Sequence, residues 1–125
     1  MKGFLLSTLL LVLTATIACA GTAKDITSAE AKTIMDKSKN AYLLYVRTPD
    51  ERRQGYIAGS VLIPIDQVER RITEIPKNRP VIVYCAVGSR SRPVAQTLAR
   101  SGYAEVYNMR DGIFGWYRSG LPVKQ

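Results

Sequence analysis

An α/β domain, a mostly parallel sheet flanked by helices on both faces, is predicted by three features of this 125-residue sequence. Short apolar runs alternate with stretches of helical apolar spacing. The runs are continuous, as in strands coated on both sides, and do not show the polar–apolar alternation of a half-exposed sheet. The segments between them are long enough for the crossovers that parallel neighbours require. No internal repeat, low-complexity tract or second domain interrupts the pattern.

Thr27-Ser28-Ala29-Glu30 has the S/T-x-x-E form of a capping box and opens a helix through about Lys37. Ala41 to Val46 is an apolar run short enough to be a buried strand. Thr48-Pro49-Asp50-Glu51 is a second capping box, with proline at the first helical position, and opens a short helix ending near Gly55. A second strand, Val61 to Ile63, stops at Pro64. Ile65, Val68, Ile72 and Ile75 then carry helical spacing up to Pro76. Val81 to Tyr84 is the third strand. Ser91 to Ser101 is a helix with Val94, Ala95, Leu98 and Ala99 on one face and Gly102 as its stop. Glu105 to Tyr107 is a fourth, weaker strand. Residues 111 to 118 form a last short helix, with Trp116 and Tyr117 assigned to the core, closed by Gly120-Leu121-Pro122.

The amino terminus reads differently. Met1-Lys2-Gly3 is a short positive start, Phe4 to Ile17 is largely apolar, and Ala18-Cys19-Ala20 is an A-x-A site before Gly21. Residues 1–20 are therefore expected to be a signal peptide, too short and too weakly flanked for a transmembrane helix, with 21–26 a linker and 27–125 the domain. Thr16-Ile17-Ala18-Cys19 supports a rival reading as a lipoprotein box with lipid on Cys19, although Thr16 replaces the usual apolar residue. Either way the domain is expected outside the cytoplasm, in the periplasm or otherwise exported, and it meets a membrane only if Cys19 is lipidated.

Lysine and arginine outnumber aspartate and glutamate by 18 to 10, a net charge of +8, and loss of Lys2 leaves +7. A basic surface favours anionic ligands. The cations are scattered, with no basic run longer than two and no interleaved aromatic platform, so nucleic acid is not the expected partner. Nothing specifies an oligomer, and a monomer is the expectation.

Cys19 and Cys85 are the only cysteines, and the first is cut off or lipidated. The domain then has no disulfide, and an unpaired thiol in an oxidising compartment is either buried and inert or used. Its setting favours use. A strand ends at Cys85, and Cys85-Ala86-Val87-Gly88-Ser89-Arg90-Ser91-Arg92 turns through a glycine into a helix, which offers the sulfur loop amides, a helix N-terminus and the Arg90 cation. In open parallel sheets ligands bind beyond the carboxyl ends of the strands, where Cys85 falls. The sequence has no histidine, which removes Cys-His and Ser-His-Asp catalysis and most zinc sites. The thiolate must therefore form without a neighbouring base. No C-x-x-C is present for dithiol exchange. A cysteine phosphatase needs five residues between cysteine and arginine, whereas four separate Cys85 from Arg90. That ring is one residue short for a phosphoryl group.

Three ordered motifs resemble the rhodanese superfamily of sulfurtransferases in its single-domain, exported form. Val46-Arg47-Thr48-Pro49-Asp50-Glu51, followed by Gly55 to Pro64, is similar to the family's amino-terminal signature. Val83-Tyr84-Cys85 with Gly88, Arg90 and Ser91 is similar to its active-site loop. Tyr107-Asn108 with Gly112, Trp116, Gly120 and Leu121-Pro122-Val123 is similar to its carboxy-terminal signature. Two positions depart: Tyr45 stands where Asp is usual before Val-Arg, and Tyr56 where His is frequent. They bear on the polar network around Arg47 and on acceptor preference.

The resemblance implies thiosulfate sulfurtransferase activity. Cys85 would attack the outer sulfur of a small anionic donor such as thiosulfate, and the resulting persulfide would pass its sulfur to cyanide or a thiol. The amides of Ala86, Val87, Gly88, Ser89 and Arg90 would hold the persulfide. Arg90 would meet the sulfonate, with Arg92 as a second candidate. No metal or organic cofactor is required. Arg47 is expected to be structural, paired with an acid such as Glu51. The alternative is a non-catalytic module that binds a persulfide or small anion.

Overall fold

Continuous apolar strands need cover on both sides, and the computed structural model, which describes Gly3 and residues 21–125, supplies it. Five strands, β1 (Lys24–Ile26), β2 (Tyr42–Tyr45), β3 (Val61–Leu62), β4 (Val81–Tyr84) and β5 (Val106–Met109), form one sheet in the order β1-β5-β4-β2-β3. Every neighbouring pair is parallel. The helices are α1 (Ser28–Lys37), α2 (Pro49–Gln54), α3 (Ser91–Arg100) and α4 (Gly112–Arg118). The fold is thus the expected parallel α/β sheet with helices on both faces.

Alternate residues of the central strands feed two cores. Tyr42, Leu44, Val81 and Val83 join Cys85 on one face, packed with Val94, Ala95, Leu98 and Ala99 of α3 and with Val68, Ile75 and Tyr103. Leu43, Tyr45, Ile82 and Tyr84 face the other way, onto Ala31 of α1 and Ile113 and Trp116 of α4. Both capping boxes are formed. Thr27 accepts from the Glu30 amide at 3.1 Å and Thr48 from the Glu51 amide at 3.2 Å, and each glutamate returns to the cap's own amide.

The structure corrects three expectations. Residues 21–26 are not wholly a linker, because Lys24–Ile26 is an edge strand paired with Tyr107–Met109. Only Ile26 of the three is buried, so β1 has no periodicity to read. The segment between Pro64 and Pro76 is not one helix but two three-residue 3-10 turns, Ile65–Gln67 and Ile72–Glu74, without side-chain caps. Val68 and Ile75 do reach the core, while Ile65 stays exposed. Trp116 is buried, its indole N–H donating to the Pro122 carbonyl at 2.8 Å, but the adjacent Tyr117 is turned to solvent and is 71% exposed.

Among the described residues no helix is long and apolar enough to cross a membrane. The expected signal peptide and Cys19 lie outside the described residues.

Candidate active site

β4 ends at Tyr84, and the chain leaves the sheet through Cys85 into the loop that starts α3 at Ser91. A second segment holds this loop from behind. The amides of Ile113 and Phe114, at the start of α4, donate to the carbonyls of Cys85 (2.9 Å) and Ala86 (3.2 Å). The two backbones are so close that a Cβ on Gly112 would lie 2.1 Å from the Ala86 oxygen, and one on Gly88 2.3 Å from the Arg110 oxygen. Gly88 also has φ +87°, a conformation that side chains disfavour. Glycine is therefore needed at both crossing points.

The loop folds around the sulfur. Cys85 is fully buried, and the Gly88 amide donates to Sγ at 3.2 Å. The Ser91 hydroxyl is 3.5 Å from Sγ. Arg90 has no side-chain cap to offer at the start of α3, which leaves amides of the first turn free to face the sulfur. Burial pushes the Cys85 thiol up. The Ser91 hydroxyl and the amides of Ser91, Val87 and Arg90 outweigh it, so the thiol titrates below its ordinary value. Ala86 is buried, whereas Val87 and Ser89 are exposed, Val87 by about half.

Arg90 is not a free cation at the mouth. Both terminal nitrogens bond the Glu51 carboxylate, each at 2.9 Å. Arg47, buried at 7% exposure, closes on the same carboxylate at 2.6 Å. The Arg90 guanidinium, ahead of the opposing effect of burial and with help from Thr48 and Arg47, holds the Glu51 carboxyl well below the usual carboxylate range. Arg92 turns to Asp25 on β1 at 3.5 Å and is more than half exposed. The loop therefore gathers Cys85, the amides and Arg90 in one place, while Arg92 belongs to a surface pair.

Tyr45 takes up the polar role its position demands. Its hydroxyl accepts from Arg47 at 2.9 Å and donates to the Gly55 carbonyl at 2.9 Å, and its ring stacks on Tyr84 with centroids 4.3 Å apart. Tyr56 packs under the Arg52 guanidinium, 3.9 Å from the ring centre. Three participants were not singled out for the site from sequence: Glu51 as the partner of Arg90, and Ser91 and Asn108, whose side chains meet at 2.5 Å beside the sulfur. Ser91 and Asn108 stood in recognisable motifs, but no spacing rule joins β5 to the loop. Among the described residues no group of three or more His, Cys, Asp or Glu is placed to hold a metal.

Comparison with known proteins agrees with this architecture. The rhodanese-like domain family matches residues 27–119. A sulfurtransferase of Allochromatium vinosum is 36% identical over 99 residues, covering 79% of this chain and 92% of the relative. The thiosulfate sulfurtransferase GlpE of Vibrio cholerae is 27% identical over 100 residues, 80% of this chain and 92% of the relative. Among solved structures, a rhodanese-like domain protein of Staphylococcus aureus superposes with a TM-score of 0.70 at 33% identity, covering 82% of this chain and 99% of that one. These likenesses support sulfur transfer as the general activity.

Proposed function

The chain belongs to the rhodanese-like domain family, and on that premise we propose that it transfers a sulfane sulfur from thiosulfate, or a similar anionic donor, to cyanide or a thiol through a persulfide on Cys85. The observation that carries this reading is the sulfur's setting: a fully buried Cys85 with the Gly88 amide aimed at Sγ at 3.2 Å. Such a cradle stabilises negative sulfur without a base, which a chain lacking histidine requires.

In the first step the Cys85 thiolate forms a bond to the outer sulfur of thiosulfate. The donor's S–S bond breaks, and sulfite leaves with the bonding electrons. In the second step the acceptor forms a bond to the outer sulfur of the persulfide, and the Cys85 thiolate is the leaving group. The amides of residues 86–90 are suited to hold the charge on the outer sulfur between the steps. The engagement of Arg90 by Glu51 favours a second donor class as well, alkyl persulfides, which bring less negative charge than thiosulfate to a cation already paired.

The test is thiocyanate formation from thiosulfate and cyanide by the purified protein, with Cys85→Ser inactive. Intact mass after thiosulfate alone should rise by one sulfur on Cys85. Folded protein that gains no sulfur and makes no thiocyanate would leave the binding-module reading in its place. Parallel rates with thiosulfate and an alkyl persulfide rank the donors. Export to the periplasm, or anchoring through Cys19, is proposed from the character of residues 1–20, and mass spectra of membrane and soluble fractions decide between them.

A further inference from the structure

Asn108 on β5 is 1% exposed, and its neighbours settle which way its amide faces. Nδ2 meets two groups that only accept, the Asp25 carboxylate at 3.0 Å and the Gly88 carbonyl at 3.4 Å. Oδ1 is thereby turned to the Ser91 hydroxyl, 2.5 Å away. An amide oxygen has nothing to donate, so the single Ser91 proton must lie in that bond. Toward Cys85, 3.5 Å on its other side, Ser91 is left with lone pairs. It can accept from an S–H, and it offers a proton to a thiolate only by turning away from Oδ1.

We propose that Asn108 is a positioning residue that competes with the Cys85 thiolate for the Ser91 proton, so that Ser91 adds its stabilisation to the ionised sulfur only when its hydroxyl turns from Asn108 to Sγ. This rests on the reading of Cys85 as the nucleophile. When the thiol loses its proton to solvent, the electron pair stays on sulfur and the hydroxyl can follow only by leaving the buried Oδ1 without a donor, which is unfavourable. The stabilisation Ser91 offers the thiolate is thus partly withheld in the resting protein. Asn108 also steadies the loop through the Gly88 carbonyl, and that role alone predicts the opposite outcome on its removal.

The charged groups around the network are Asp25 on β1, Arg92 on α3, Arg90 with its partner Glu51, and Arg110 and Asp111 after β5. All are kept in the variants. The experiment is the pH dependence of Cys85 alkylation by iodoacetamide, read by peptide mass so that Cys19 is scored apart, in wild type, Asn108→Leu, Ser91→Ala and the double variant. Asn108→Leu should lower the alkylation midpoint by about one pH unit, equivalent to about a tenfold faster reaction well below the midpoint. Ser91→Ala in the same chain should abolish that shift. A midpoint unchanged or raised by Asn108→Leu, or a shift that persists without Ser91, overturns the proposal. If the apolar side chain prevents folding, Asn108→Asp carries the test: it should raise the midpoint, and by less when Ser91 is absent, whereas an equal rise in both backgrounds is through-space charge and refutes the competition. Alkylation needs no sulfur donor, so a failure to make thiocyanate leaves this test standing.

Discussion

Glu51 accepts from both terminal nitrogens of Arg90 at 2.9 Å, and the Arg47 guanidinium, one turn earlier in the chain, meets the same carboxylate. One acid therefore joins the α2 segment to the loop around Cys85. It also completes the capping box of α2 by accepting from the Thr48 amide at 3.2 Å.

Removing that charge should loosen both ends. Glu51→Gln leaves the buried Arg47 without a counter-charge and frees Arg90, and it is expected to cost about 2–4 kcal/mol. Urea unfolding monitored by circular dichroism measures it. A loss below about 0.5 kcal/mol would mean that the pair behaves as an exposed surface bridge.

Acid should act through the same residue. Glu51 titrates near 4.5 when unfolded and well below that when folded, so the unfolded chain binds its proton first. Its contribution is fully present above the unfolded value and is lost as pH falls from there toward the folded one. Wild type should lose more stability than Glu51→Gln between about pH 5 and about pH 3 in parallel denaturation curves. Equal losses would exclude Glu51 as an acid-sensitive group.

Gly88→Ala tests the loop. The added Cβ would lie 2.3 Å from the Arg110 carbonyl at a φ of +87°, so the backbone must move and carry the Gly88 amide away from sulfur. Thiocyanate formation should fall by about tenfold or more, with slower alkylation of Cys85 at neutral pH. Unchanged rates would show that the amide at this position is dispensable.

Tyr45→Phe keeps the stack on Tyr84 and deletes only the hydroxyl. The Gly55 carbonyl and one Arg47 N–H lose their partner in a buried place, at a cost of about 1–3 kcal/mol. A fall in Tm of about 5 °C or more is expected by differential scanning calorimetry. An unaltered Tm would mean that water takes over both bonds.

The sequence alone determined the elements that local chemistry specifies. Capping boxes at Thr27 and Thr48, continuous apolar runs at Tyr42–Tyr45 and Val81–Tyr84, and the apolar face of α3 each act within a few residues. The parallel α/β class followed from them, while the family was legible only through the resemblance of three ordered motifs, and Arg47 was expected to pair with an acid such as Glu51. Tertiary structure decided what depends on partners distant in the chain. Lys24–Ile26 becomes a strand because β5 offers an edge, and the segment between Pro64 and Pro76 breaks into 3-10 turns without side-chain caps. Arg90 faces Glu51, 39 residues away, and Ser91 meets Asn108, 17 residues on. A carboxylate or amide is satisfied by whichever donor packing brings within about 3 Å, and no periodicity in the chain encodes that choice. Sequence therefore placed the thiol at the strand end, and packing decided which groups share its protons and its charge.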